Sequence, residues 1–220
     1  MKNVSKMNRL LRPRVVAGAT FFGIIAAITT STTAYTTDRL EGGALASLLQ
    51  KGGHVIYMRH ASTEKDYADQ VSADPANCST QRTLSENGWK EAELVGASFN
   101  VLNIPVGAVY SSEYCRAWQT AKIAFGSYQK LAKLNFEPSE EYTPEQVSKM
   151  RARVTPMLQR KPEDGTNTVI VGHDDPFEAA TGIYPEPQGV AYIVRPTGDG
   201  FDIIGYIEPQ DWRQIVANAQ

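Results

Sequence analysis

Residues Val55 to Thr63 read VIYMRHAST, and the fold of this 220-residue chain turns on how that stretch is read. Val55, Ile56 and Tyr57 favour a strand, and the apolar run is too short and too rich in β-formers for a helix. It ends in Met58, Arg59 and His60, followed at once by small polar residues. A guanidinium and an imidazole then stand at the C-terminal end of a strand, where open α/β sheets carry their ligand sites. Such a pair suits binding a phosphate and attacking it. An Arg-His pair alone at a strand end is more often a surface or capped position, so the rest of the chain has to supply the context.

Outward from this strand the pattern alternates. Leu45, Leu48 and Leu49 fall at helical spacing before Gly52-Gly53. Glu64 to Gln81 reads as a long polar loop whose acidic residues, Asp66 to Asp74, are expected to face solvent. Ser85 is placed to cap a helix running through Trp89, Ala92, Val95 and Phe99. Ala108 to Ser111 reads as a brief strand and Arg116 to Phe125 as a helix, with a further strand expected over Leu131 to Phe136. Thr143-Pro144 opens another helix, with Thr as cap and Pro in the first turn. Thr168 to Gly172 is a buried strand that ends at His173, and Asp175 is expected to cap the helix after it. Gly189–Val194 and Phe201–Ile207 read as a β pair, and Trp212 to Ala217 as a closing helix. Trp89, Trp118 and Tyr57 are expected in the core, and His54 has a structural place. Strands alternating with helices predict one α/β domain over residues 35–220, a three-layer α/β/α sandwich around a mostly parallel sheet.

The first 34 residues are compositionally separate. Lys2, Lys6, Arg9, Arg12 and Arg14 precede an apolar run from about Val15 to Ile28, and a Thr/Ser-rich stretch leads to Ala34. This is the pattern of a signal peptide cut after Ala34, the alternative being an uncleaved anchor. The expectation is export to the periplasm or the medium, with membrane contact only through an uncleaved leader. Five of the 22 basic residues lie in the leader, so the remainder holds 17 against 24 acidic side chains, a net charge of −7. That argues against a nucleic-acid partner. Cys78 and Cys115 are the only cysteines, and an exported destination permits a disulfide between them.

Two of the three histidines, His60 and His173, directly follow apolar strands. If those strands are parallel neighbours, both imidazoles emerge on one edge of the sheet. Between them lies VYSSEYCRAWQTA, Val109 to Ala121, where a strand ends in Ser111-Ser112 and Arg116 falls in the first turn of a helix. Free amides and partial positive charge at that helix start add to two arginines and two histidines. The combination suits a phosphoryl group.

With these motifs in order the chain resembles the histidine phosphatase superfamily, whose fold is phosphoglycerate mutase-like. The family's Arg-His-Gly-x-Thr signature stands here as Arg59-His60-Ala61-Ser62-Thr63, and its Leu-Thr-x-x-Gly helix start as Leu84-Ser85-Glu86-Asn87-Gly88. Its Ser-Ser-x-x-x-Arg-Ala-x-Gln-Thr-Ala motif spans Ser111 to Ala121, and its second histidine matches His173. The resemblance covers about Gly52 to Gly182 and is most similar to the small phosphohistidine and sugar-phosphate phosphatases. It implies a histidine acid-type phosphatase, a phosphoric monoester hydrolase acting on a small phosphorylated substrate without metal or other cofactor. His60 would be the nucleophile, with Arg59, Arg116 and His173 holding the phosphoryl oxygens. Thr63 and Ser62 would line the same pocket, and Arg82 either joins them or forms a surface salt bridge. The leaving-group acid stays open among Asp174, Glu113, Glu140 and Glu141. Ala61 replaces the family's usual glycine, which puts the loop's conformation in question. A non-catalytic phosphate-binding member of the same fold is the alternative. A Cys115 hydrolase is a poorer one, since no histidine is left to activate it.

Overall fold

The computed structural model describes residue 40 and residues 42–66, 68–70, 72–139 and 141–219. The proposed leader and Glu140 lie outside the described residues. Among the described residues six helices and six strands follow in the order α1 Gly42–Leu49, β1 Val55–Arg59, α2 Glu86–Val101, β2 Val106–Ser111, α3 Cys115–Phe125, β3 Gln129–Lys130, α4 Pro144–Gln159, β4 Asn167–Gly172, α5 Asp174–Thr181, β5 Ala191–Pro196, β6 Phe201–Ile207 and α6 Asp211–Ala219.

The strands form one sheet in the order β3-β2-β4-β1-β5-β6. The first four are parallel, and β5 and β6 complete one edge antiparallel. β1 and β4 are central and read as unbroken apolar runs, as strands covered on both faces should. Alternation in β1 divides the core. Ile56 and Met58 pack under α1, α2, α3 and α6, while Val55 and Tyr57 pack under α4 and α5. These two cores make the three layers.

Local chemistry sets the helix ends. Ser85 Oγ accepts the Gly88 N–H at the start of α2. Thr143 and Gln146 form a reciprocal capping box on α4. Three expectations change. Leu131 to Phe136 is no strand: pairing stops at Lys130, and Ala132–Leu134 turns as a 3-10 helix that buries Leu134. Trp89 is 47% exposed rather than in the core, because the inner face of α2 is filled by Ala92, Val95 and Phe99. His173, not Asp175, occupies the cap position of α5.

Parallel pairing of β1 with β4 sets Arg59 opposite Gly172. His60 and His173 therefore leave the sheet side by side, and the end of β2 lies on the far side of β4. Gly172 is required here, since a Cβ would meet the Tyr57 hydroxyl at 2.3 Å. That hydroxyl donates to the His173 carbonyl at 2.8 Å and accepts the His173 N–H at 3.2 Å. It pins the second histidine to the central strand. Among the described residues no helix is long and apolar enough to cross a membrane.

Candidate active site

His60 is 1% exposed and its ring orientation is settled by two contacts. Nδ1 lies 2.9 Å from the Ala61 carbonyl, which can only accept, so Nδ1 carries the proton. Nε2 accepts the Arg116 Nε–H at 3.1 Å and holds the lone pair. Burial, then the Arg116 charge, holds this imidazole well below its ordinary range, against the Ala61 hydrogen bond. It is a neutral base at neutral pH with its reactive nitrogen facing a guanidinium.

His173 is likewise 1% exposed, its ring centroid 5.4 Å from that of His60. Burial, then Arg116 and His60, lower its basicity strongly. Tyr114 and Phe136 pack edge-on against the ring at 5.4 and 4.9 Å, and the Arg116 guanidinium lies over both aromatics. Arg116 Nη1 also pairs with Asp69 at 2.9 Å. Arg59, the last residue of β1, pairs through Nη2 with Asp174 at 2.6 Å and through Nη1 with Glu186 at 2.5 Å. Three buried polar atoms gathered here have no protein partner: Arg59 Nε, Arg82 Nε and His173 Nδ1. Arg59, Arg82 and Arg116 all act electrostatically on both histidines. The two arginine Nε–H groups among them are unpartnered buried donors, which cost free energy and fit an anion that would take them up.

The structure thus brings His60, Arg59, Arg116, His173 and Arg82 together. Arg82 is partly buried and turned into this cluster, so the surface salt bridge is corrected. Thr63 and Ser62 serve the loop itself. The Ser62 N–H and hydroxyl donate to Glu91 at 2.8 and 2.9 Å, and the Thr63 N–H donates to Gln188 at 3.0 Å. Ala61 is fully buried outside the positive-φ region, so the loop does not need glycine there. Asp69 is not a solvated loop residue; it accepts from Arg116 and from the Arg82 N–H at 2.6 Å.

The described carboxyls expected as acids stand in different surroundings. Asp174 pairs with Arg59 and accepts from the Tyr184 hydroxyl at 2.7 Å. Glu113 accepts from Asn135 Nδ2 at 2.9 Å, and Glu141 is exposed. Asp175 accepts from the Tyr142 hydroxyl at 2.9 Å, and burial, then Asp174, raise its affinity for a proton. Cys78 and Cys115 are joined in a disulfide that ties the long loop to the start of α3, one residue from Arg116. Among the described residues no three His, Cys, Asp or Glu side chains are grouped as metal ligands.

A cavity of about 660 Å³ opens beside the histidines, lined by Ala73, Arg82, Tyr114, Phe136 and Pro138. A larger one, about 800 Å³, is lined by Tyr110, Lys133, Arg160 and Thr168 and shares no residue with this site. Asp69, Glu186 and Asn135 were not legible as site residues, because each arrives from a loop without periodicity.

Residues 55–135, from β1 to the 3-10 turn, match the profile of the histidine phosphatase superfamily (branch 1). Among solved structures the fold resembles the protein histidine phosphatase SixA complexed with tungstate: TM-score 0.52, 16% identity, 72% of this chain and 98% of that one. It also resembles phosphoserine phosphatase from Entamoeba histolytica with phosphoserine, at TM-score 0.52 and 15% identity over 71% and 98%. A mycobacterial glucosyl-3-phosphoglycerate phosphatase gives TM-score 0.51 and 14% identity over 69% and 97%. No curated protein matches the chain.

Proposed function

We propose that the chain is a member of the histidine phosphatase superfamily, whose profile matches residues 55–135, and that it is an exported, metal-independent phosphatase forming a phosphohistidine on His60. The reading covers phosphomonoesters and phosphoramidates, and His60 Nε2 carries it: a neutral, buried nitrogen lone pair 3.1 Å from the Arg116 Nε. As a phosphoryl group enters, Arg116 transfers its hydrogen bond from the ring to a phosphoryl oxygen. Nε2 attacks phosphorus, the bond to the leaving group breaks, and the leaving atom takes a proton. Water then attacks the phosphohistidine, the P–N bond breaks, and phosphate and neutral His60 are released. Arg59, Arg116 and Arg82 supply fixed positive charge where the transferring oxygens develop theirs. Tungstate in SixA and phosphoserine in the amoebal enzyme are ligands of the class this cluster would take. Export is supported by the basic and then apolar leader and by the disulfide, which belongs to an oxidising compartment.

The test is hydrolysis of an aryl phosphate by the purified protein with a chelator present, beside His60→Ala. Turnover that resists the chelator and falls at least about a thousandfold in the variant is expected. A folded protein that binds phosphate but does not turn over would instead be a phosphate-binding member of the fold.

A further inference from the structure

Asn135 and Ser112 settle which nitrogen of His173 carries the proton. The Asn135 amide is unambiguous, because Oδ1 accepts the Glu113 backbone N–H at 3.0 Å and Nδ2 donates to the Glu113 carboxylate at 2.9 Å. Ser112 Oγ lies 2.8 Å from Oδ1, which can only accept, so the one hydroxyl proton of Ser112 points at Asn135. The hydroxyl oxygen then has only lone pairs for its other neighbours, the Tyr114 N–H at 3.2 Å and His173 Nε2 at 2.8 Å. His173 must therefore donate from Nε2, and in the neutral ring Nδ1 is a bare lone pair. Nδ1 is buried and has no protein partner.

The groups around this ring keep it neutral in the free protein. Arg116, Arg59, Arg82 and His60 all oppose its protonation, Tyr114 and Phe136 cover its edges, and the next residue, Asp174, is paired with Arg59. A bare lone pair is the wrong partner for a phosphate dianion, whose oxygens also only accept.

We propose that Asn135 and Ser112 are positioning residues that commit the site to a phosphoryl group carrying one proton, held between His173 Nδ1 and a phosphoryl oxygen. The inference rests on the phosphatase reading for placing the phosphoryl group against both histidines. A monoester arriving as the monoanion brings the proton; a dianion takes one from water, and no other bond changes. Affinity for phosphate should then fall about tenfold per pH unit above its second ionisation.

Calorimetric titration with inorganic phosphate at pH 8, in two buffers of different ionisation heat, counts that proton. The His60→Ala protein is used, so that the nucleophile can neither react nor take a proton itself. Uptake of about one proton is expected. In His60→Ala/Asn135→Ala the Ser112 hydroxyl is free to donate to His173 Nε2, the ring proton moves to Nδ1, and uptake should drop toward zero. His60→Ala/Ser112→Ala should do the same by removing the acceptor. Wild-type enzyme gives a check free of substitutions: the inhibition constant of phosphate should rise about tenfold between pH 8 and 9. Phosphate binding with no proton uptake, or uptake unchanged in both double variants, overturns the inference and leaves the phosphatase reading standing. Absence of phosphate binding in both wild type and His60→Ala overturns both.

Discussion

Asp69 places a carboxylate on the guanidinium that the proposed mechanism gives to phosphate. Its Oδ1 lies 2.9 Å from Arg116 Nη1, and the two side chains are 22% and 5% exposed. A partly buried pair of this kind is worth about 1 kcal/mol, so removing the charge should strengthen anion binding several-fold. The inhibition constant of inorganic phosphate should therefore fall roughly fivefold in Asp69→Asn at pH 7. Weaker inhibition would mean that Asp69 supports the arginine instead of competing for it. The same residue shows where sequence reading stopped. His60 and His173 are legible because each ends an apolar strand, whereas Asp69 sits in an aperiodic loop, 47 positions from its partner. Asp174 is the complementary case. Its position after the histidine is plain in the sequence, yet its salt bridge to Arg59 exists only in three dimensions.

The loop after β1 and the start of α2 are locked together by backbone contacts. The Ser62 carbonyl accepts from the Ser85 N–H at 3.0 Å and the Ser85 hydroxyl at 3.1 Å, and Thr63 bridges Leu84. Gly88 makes this approach feasible: a Cβ there would lie 1.9 Å from the Ser62 carbonyl oxygen. Alanine has the better helix propensity by about 1 kcal/mol, but its clash is with backbone and has no rotamer to relieve it. Gly88→Ala should lower the melting temperature by about 4–10 °C and reduce kcat/KM, because the displaced loop carries His60. Unchanged melting and activity would show that α2 can shift without moving the loop. Both partners of this lock stand in the sequence, as the Ser85 cap and the Gly88 that follows it. Their contact with Ser62 was not legible, since a helix start says nothing about which loop it will meet.

The whole molecule buries His60 and His173 as neutral rings, and that choice links folding to pH. Both have folded pKa values well below 6.5, so in the window beneath 6.5 the unfolded chain binds more protons and stability rises with pH. Acidification from pH 7 should cost up to about 1.4 kcal/mol per pH unit for each ring. His54, lowered mainly by burial, acts in the same direction. Asp175, whose proton affinity is raised mainly by burial, opposes them, because its folded form keeps a proton that the unfolded form has released. Urea denaturation should show a lower midpoint at pH 5.5 than at pH 7.5, and His173→Gln should flatten that slope by about one proton. A midpoint indifferent to pH would mean that the rings are charged in the folded protein.

The alternation of strands with helices and the α/β layering followed from the sequence alone, and the placing of His60 and His173 on one edge followed once their strands pair in parallel. The alternation and the layering depend on local matters: apolar periodicity, caps, and the side of a strand on which a residue falls. The stop at Lys130, where Leu131 begins a turn, depended on how far β2 offers a partner. The tertiary structure alone decided the pairing of Arg59 with Glu186, 127 positions away, and the Asn135–Ser112–His173 chain that sets a tautomer. Those contacts join loops whose residues have no periodicity, and their geometry exists only once the sheet has brought the loops to one edge.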